Sequence, residues 1–166
     1  DKNYCIVHSI DGYDEVSLTG AFKLYSNNHD IMLEPKDLDF NLINSENLSG
    51  GKNIEESSKI FLDILKNNGT REQVDAVLAN SGLAIYCAKQ LSSIKDGIEI
   101  ARESLESGKA YNSLKLFIPH SSVIDLIKFF ATTILLSLKY SRFSISKTAY
   151  SILLLKASAL FAGMVH

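Results

Sequence analysis

Apolar and polar positions recur along this chain with two different periods, short alternation first and a helical period later. Tyr4-Cys5-Ile6-Val7-His8 is a compact apolar run and predicts a strand over 4–8, buried between neighbours as in parallel α/β sheets. Because such a strand lies almost at the first residue, its partners are expected from sequence upstream, and the chain reads as an α/β fragment. A loop with an Asp11-Gly12 turn signal follows, and Val16-Ser17-Leu18-Thr19 predicts a short strand ended by Gly20. Phe22-Lys23-Leu24-Tyr25 and Ile31-Met32-Leu33-Glu34 flank a polar, Asn-rich tract, which predicts a β-hairpin closed off by Pro35.

From residue 45 the period is helical. Ser45–Leu48 offers one short turn before Gly50-Gly51. Ile54, Phe61, Ile64 and Leu65 share one side of a helix over 54–67, with Gly69 as its stop. Over 71–89, Val74, Val77, Leu78 and Ile85 line one face while Ala76, Ala79, Leu83 and Ala84 cover others, so this helix is mostly buried. Gly82 inside it costs about 1 kcal/mol of helix propensity, a cost that close packing against a neighbouring backbone would explain. A third helix over 93–107 carries Ile94, Ile98, Ala101 and Leu105 inward, an outward Glu99–Arg102 pair, and Gly108 at its end.

Composition changes this picture at one place. The 166 residues are 46% hydrophobic with net charge -2, which excludes a disordered chain and a wholesale nucleic-acid coat. The average hides a division, however. Residues 1–116 hold 12 basic and 18 acidic side chains, whereas 117–166 hold 5 basic ones and only Asp125. The expected organisation is therefore an α/β unit over 1–116 and an apolar, basic tail over 117–166. Three readings of the tail stand. The first is a membrane anchor, but Val123–Leu138 is 16 residues and contains Asp125 and Lys128, short of the roughly 20 needed for a span, and Ala149–Val165 is interrupted by Lys156. A helical hairpin over 121–139 and 147–164 is the second reading. A frame-shifted read-through is the third, and the Ser, Leu, Ile and Lys bias favours it.

The chemistry concentrates in the first loop. Asp11, Asp14 and Glu15 place three carboxylates in five residues, just beyond the C-terminal end of an apolar strand, where open α/β sheets bind ligands. Acidic loops are commonly solvated surface. Gathering carboxylates becomes useful when a cation offsets their repulsion, and magnesium suits one or two of them because it keeps other positions for water and phosphate oxygens. His8 at the strand end reads as a hydrogen-bonded neighbour of such a site, and Cys5 and Cys87 as buried apolar thiols. Asn80 reads either as functional or as a satisfied buried amide, and Lys109 as solvated.

The run Val7-His8-Ser9-Ile10-Asp11-Gly12-Tyr13-Asp14-Glu15-Val16-Ser17-Leu18-Thr19-Gly20 closely resembles a signature of anthranilate phosphoribosyltransferases. The likeness continues through Glu34-Pro35, Leu48-Ser49-Gly50-Gly51, Glu55-Glu56, Gln73–Asn80, Leu83–Tyr86 and Ala101–Ala110. It implies the nucleoside phosphorylase/phosphoribosyltransferase-like α/β domain. It also implies transfer of the phosphoribosyl group of phosphoribosyl pyrophosphate to the amine of anthranilate, in tryptophan biosynthesis. Asp14 and Glu15 would bind magnesium on the diphosphate, and Asp11 would shape the loop beside Gly12. A homodimer and a cytoplasmic setting follow from the same resemblance, and the acidic balance of residues 1–116 adds the expectation of no nucleic-acid partner. The family's glycine-rich diphosphate loop and anthranilate-binding residues have no match here, so no transfer is expected from this polypeptide alone. A phosphorolytic nucleoside enzyme of the same fold, or a non-catalytic binding module with a membrane-associating tail, are the alternatives.

Overall fold

The computed structural model describes residues 3–27 and 29–117. The expectations for the tail, including its helical hairpin, lie outside the described residues. Strand β1, Cys5–Ser9, pairs antiparallel with β2, Phe22–Ser26, and β2 with β3, Asp30–Leu33. The register sets Val7 opposite Leu24 and Leu24 opposite Ile31, on one face of the sheet. His8, Lys23 and Met32 lie across from one another on the other face.

The strand at the start is thus not wrapped on both sides as its unbroken apolar run implies. Its residues alternate between half-buried or buried positions and exposed ones, and Ile6 is 58% exposed. Alternation arises because an antiparallel sheet packs one face on the core and leaves the other open. Among the described residues, β1 has a partner along one edge only. The expected strand at Val16–Thr19 does not form either. That segment is buried coil, and Leu18 takes a left-handed φ of 61°, which breaks an extended ladder. The hairpin forms as expected.

Pro35–Leu38 and Ser45–Leu48 are single 3-10 turns that carry the chain from the sheet to the helices. Helix α1 spans Ile54–Leu65, α2 Arg71–Lys89, α3 Ile94–Glu106 and α4 Lys109–Phe117. Each of the first three starts on a side-chain cap: Asn53 accepts from the Glu56 N–H, Thr70 from Gln73, and Ser93 from Asp96. The left-handed stop after α1 is Asn67, not the expected Gly69. Gly69 instead lies against Ile64, whose Cα would sit 3.1 Å from a Cβ placed there. The fourth helix begins after Gly108, in its left-handed conformation, and adds Ala110 and Leu114 to the core.

The core lies between the inner sheet face and α2, with Phe22, Leu24, Leu78, Ile85 and Leu105 almost fully buried. Helices α2 and α3 cross at two glycines. A Cβ on Gly82 would stand 2.7 Å from both the backbone N and the Cα of Ile98, and a Cβ on Gly97 would overlap the Gly82 carbonyl. The propensity lost at Gly82 is offset by this backbone-to-backbone approach, as the helix pattern anticipates.

Candidate functional site

The candidate site is the long connection between β1 and β2. It is a folded loop whose conformation is held from three directions. From below, β1 delivers it: the Ser9 hydroxyl donates to the Glu15 carbonyl at 2.5 Å, and the Ser9 N–H donates to the Tyr13 carbonyl at 3.2 Å. The Ile10 N–H donates to the Ala21 carbonyl at 3.0 Å and closes the loop at its base. Gly12 turns the chain with φ of 91°, in the left-handed region that glycine adopts without steric cost.

From within, Asp11 gathers the far limb. Its carboxylate accepts from the Thr19 hydroxyl and, at 3.5 Å, from the Ser17 hydroxyl. The Thr19 hydroxyl also lies 2.8 Å from Ser17 Oγ. Gly20 packs against the same carboxylate, where a Cβ would stand 3.4 Å from Oδ2. Asp11 therefore shapes the loop beside Gly12, and its oxygens are engaged in doing so. From the side, helix α2 holds the loop through Asn80. The Asn80 Oδ1 accepts from the Val16 N–H at 3.0 Å, and Nδ2 donates to the Val16 carbonyl at 2.7 Å and the Ala76 carbonyl at 2.8 Å. Val16 is fully buried, so this one side chain satisfies both polar groups of a backbone segment that water does not reach.

The two remaining carboxylates differ sharply in setting. Asp14 is exposed, while Glu15 is 4% exposed, between buried Tyr13 and Val16. The Tyr13 hydroxyl is pushed above its ordinary pKa by burial first and by the charges of Asp11 and Glu15 second. The loop therefore concentrates negative potential around a buried phenol. Among the described residues, no three His, Cys, Asp or Glu side chains converge into a closed metal cage.

The other residues singled out in the sequence fall outside this loop's chemistry. His8 is exposed on the outer face of the sheet, opposite the side where Ser9 supports the loop, and makes no side-chain hydrogen bond among the described residues. Its expected place beside the site fails because neighbouring residues of a strand point to opposite faces. Lys109 is exposed and pairs with Glu103 at 2.8 Å, which pulls the Glu103 carboxyl below its usual range. Cys5 and Cys87 are half-buried where buried apolar thiols are expected, and both line one cavity.

Asn80 is the site residue that sequence reading left undecided. The available signal was a lone amide on a helix otherwise apolar on most sides, but only the tertiary structure names its partner, 64 residues away.

A strand, a glycine turn, a carboxylate-rich loop and the helix that grips it make up an α/β unit, and comparison with known proteins gives its family. Residues 1–111 match the family model described as glycosyl transferase family, a/b domain, and the chain belongs to that family. Among curated relatives, it is similar to anthranilate phosphoribosyltransferase of Cytophaga hutchinsonii, with 51% identity over 69% of this chain and 35% of the relative. The enzyme of the same name from Phocaeicola vulgatus is 44% identical over 72% of this chain and 36% of the relative. The crystal structure of anthranilate phosphoribosyltransferase from Thermus thermophilus aligns with a TM-score of 0.58 at 30% identity, over 66% of this chain and 32% of that one. The chain thus spans about a third of the length of the relatives it matches.

Proposed function

We propose that this chain carries the diphosphate-facing part of an anthranilate phosphoribosyltransferase. The observation that carries the reading is the Asp11–Gly20 loop, pinned at both limbs and carrying Asp14 and Glu15 just beyond the end of β1. In the reaction, the anthranilate nitrogen bonds to C1 of the ribose as the bond from C1 to pyrophosphate breaks, and the amine gives up one proton. Negative charge grows on the departing diphosphate and positive charge on C1.

The donor set fits magnesium: two adjacent carboxylates, all oxygen, with Asp14 open to solvent so that water and phosphate oxygens have access. When bound, a magnesium ion supplies charge neutralisation to the leaving diphosphate. Asp14 and Glu15 would hold it, directly or through water. Glu15, fixed through its carbonyl by Ser9, lies in a poorly solvated place, where the attraction between a carboxylate and a cation is strongest. Asp11 acts on the loop's shape. A homodimeric assembly belongs to the same proposal, and sedimentation velocity tests it.

Calorimetry with magnesium and phosphoribosyl pyrophosphate on the parent and on Asp14→Asn tests the assignment. Loss of one carboxylate is expected to weaken magnesium-dependent binding by about tenfold, the equivalent of one charge-assisted contact of roughly 1.4 kcal/mol. Equal binding by both removes Asp14 from the site. A phosphorolytic nucleoside enzyme would instead show binding of nucleoside and inorganic phosphate.

A further inference from the structure

The contact between Cys5 and Cys87 has no part in the loop chemistry. Cys5 opens β1 and faces inward, and Cys87 lies in the last turn of α2. The two thiols line one wall of the same cavity, about 220 Å3, with Tyr4, Asn27, Tyr86 and Gln90 around it. Gln90 and Asn3 at its rim are exposed, so small solutes reach the sulfurs. The Cys5 thiol is pushed up to about 12, by burial first and then by its hydrogen bond to Cys87 and that neighbour's charge. Cys5 keeps its proton at neutral pH, so the first attack is assigned to the other sulfur of the pair, Cys87.

We propose that Cys5 and Cys87 are a reversible dithiol–disulfide pair, oxidised by low-molecular-weight disulfides that enter this cavity, and that the bond staples β1 to the end of α2. The Cys87 thiolate attacks one sulfur of glutathione disulfide and releases the first glutathione thiolate. Cys5 then loses its proton and attacks the protein-side sulfur of the mixed disulfide, releasing the second glutathione. Two thiols are oxidised, one disulfide is reduced, and two glutathione molecules leave with the two protons. Both elements so joined hold the acidic loop: β1 delivers it through Ser9, and α2 grips it through Asn80. The staple closes a covalent loop on the order of 80 residues, a length at which a cross-link restricts the unfolded chain strongly.

The full chain is equilibrated with glutathione disulfide, free thiols are capped by alkylation, and peptides are mapped by mass spectrometry. The expected product is one linked peptide pair, with both thiols lost together, a mass decrease of about 2 Da and full reversal by dithiothreitol. Its melting temperature is expected to exceed that of the reduced chain by roughly 5 °C. In Cys5→Ser, the resolving thiol is gone, and a stable glutathione adduct on Cys87 is expected instead. Recovery of two alkylated cysteines from the parent, or of a separate glutathione on each, overturns the proposal. So does a parent whose adduct on Cys87 persists as it does in Cys5→Ser.

Discussion

Removing the Asn80 carboxamide would leave the N–H and carbonyl of fully buried Val16 without their partner. Asn80→Ala is therefore expected to lower stability by about 3 kcal/mol, the order of two buried backbone groups losing a bond. Asn80→Asp does little better, because a carboxylate accepts from the Val16 N–H but cannot donate to the Val16 and Ala76 carbonyls. Urea denaturation checks both, and an unchanged midpoint for Asn80→Ala would show that the loop stands without its clamp. Asp75 poses the opposite case. Burial raises its pKa, against the pull of Arg71 and Arg102. Folded Asp75 thus keeps its proton to higher pH than in the unfolded chain, and stability falls as pH rises between those two values. Asp75→Asn is expected to gain on the parent when moved from about pH 3 to about pH 7. A difference that is flat with pH sinks the assignment.

At the scale of elements, the α2–α3 crossing is the least forgiving feature. Ala is a better helix former than Gly by about 1 kcal/mol, yet a methyl on Gly82 would overlap the Ile98 backbone. Neither backbone can yield without parting the helices, so Gly82→Ala is expected to destabilise by about 2–3 kcal/mol net. A stabilised Gly82→Ala in a denaturant series would show that the crossing relaxes. The helices themselves were legible from periodicity: α2 spans the expected 71–89, and the Glu99–Arg102 pair forms at 3.6 Å. Their stops were less so, since Asn67 adopts the left-handed turn that Gly69 promised.

For the whole molecule, the sheet has two unequal faces. Ile6 and Met32 are exposed on the outer one, beside a Lys23 that lies over the Tyr25 ring and pairs with Asp30 at 3.3 Å. Ile6→Thr and Met32→Lys are each expected to change the stability of this chain by less than roughly 0.5 kcal/mol, as for other exposed positions. A loss of several times that in thermal denaturation would show that the face is covered. The acidic balance of residues 1–116 argues against a nucleic-acid partner on the same scale. Among the described residues, no helix is long and apolar enough to cross a membrane.

Sequence alone determined what depends on neighbours along the chain. Hydrophobic period, caps and turn residues settled the first three helices, the hairpin and the grouping of Asp11, Asp14 and Glu15 on one loop, and left α4 unmarked. Local pattern misjudged Val16–Thr19, because burial imitates a strand when coil is tethered from outside. It also misjudged β1, because an apolar run does not reveal which face has a partner. Only the tertiary structure brought Asn80 to Val16 and Cys5 to Cys87, contacts made across more than sixty residues. Such pairs obey no short-range period. They follow from where packing sets α2 against the sheet, and that decides which polar groups meet.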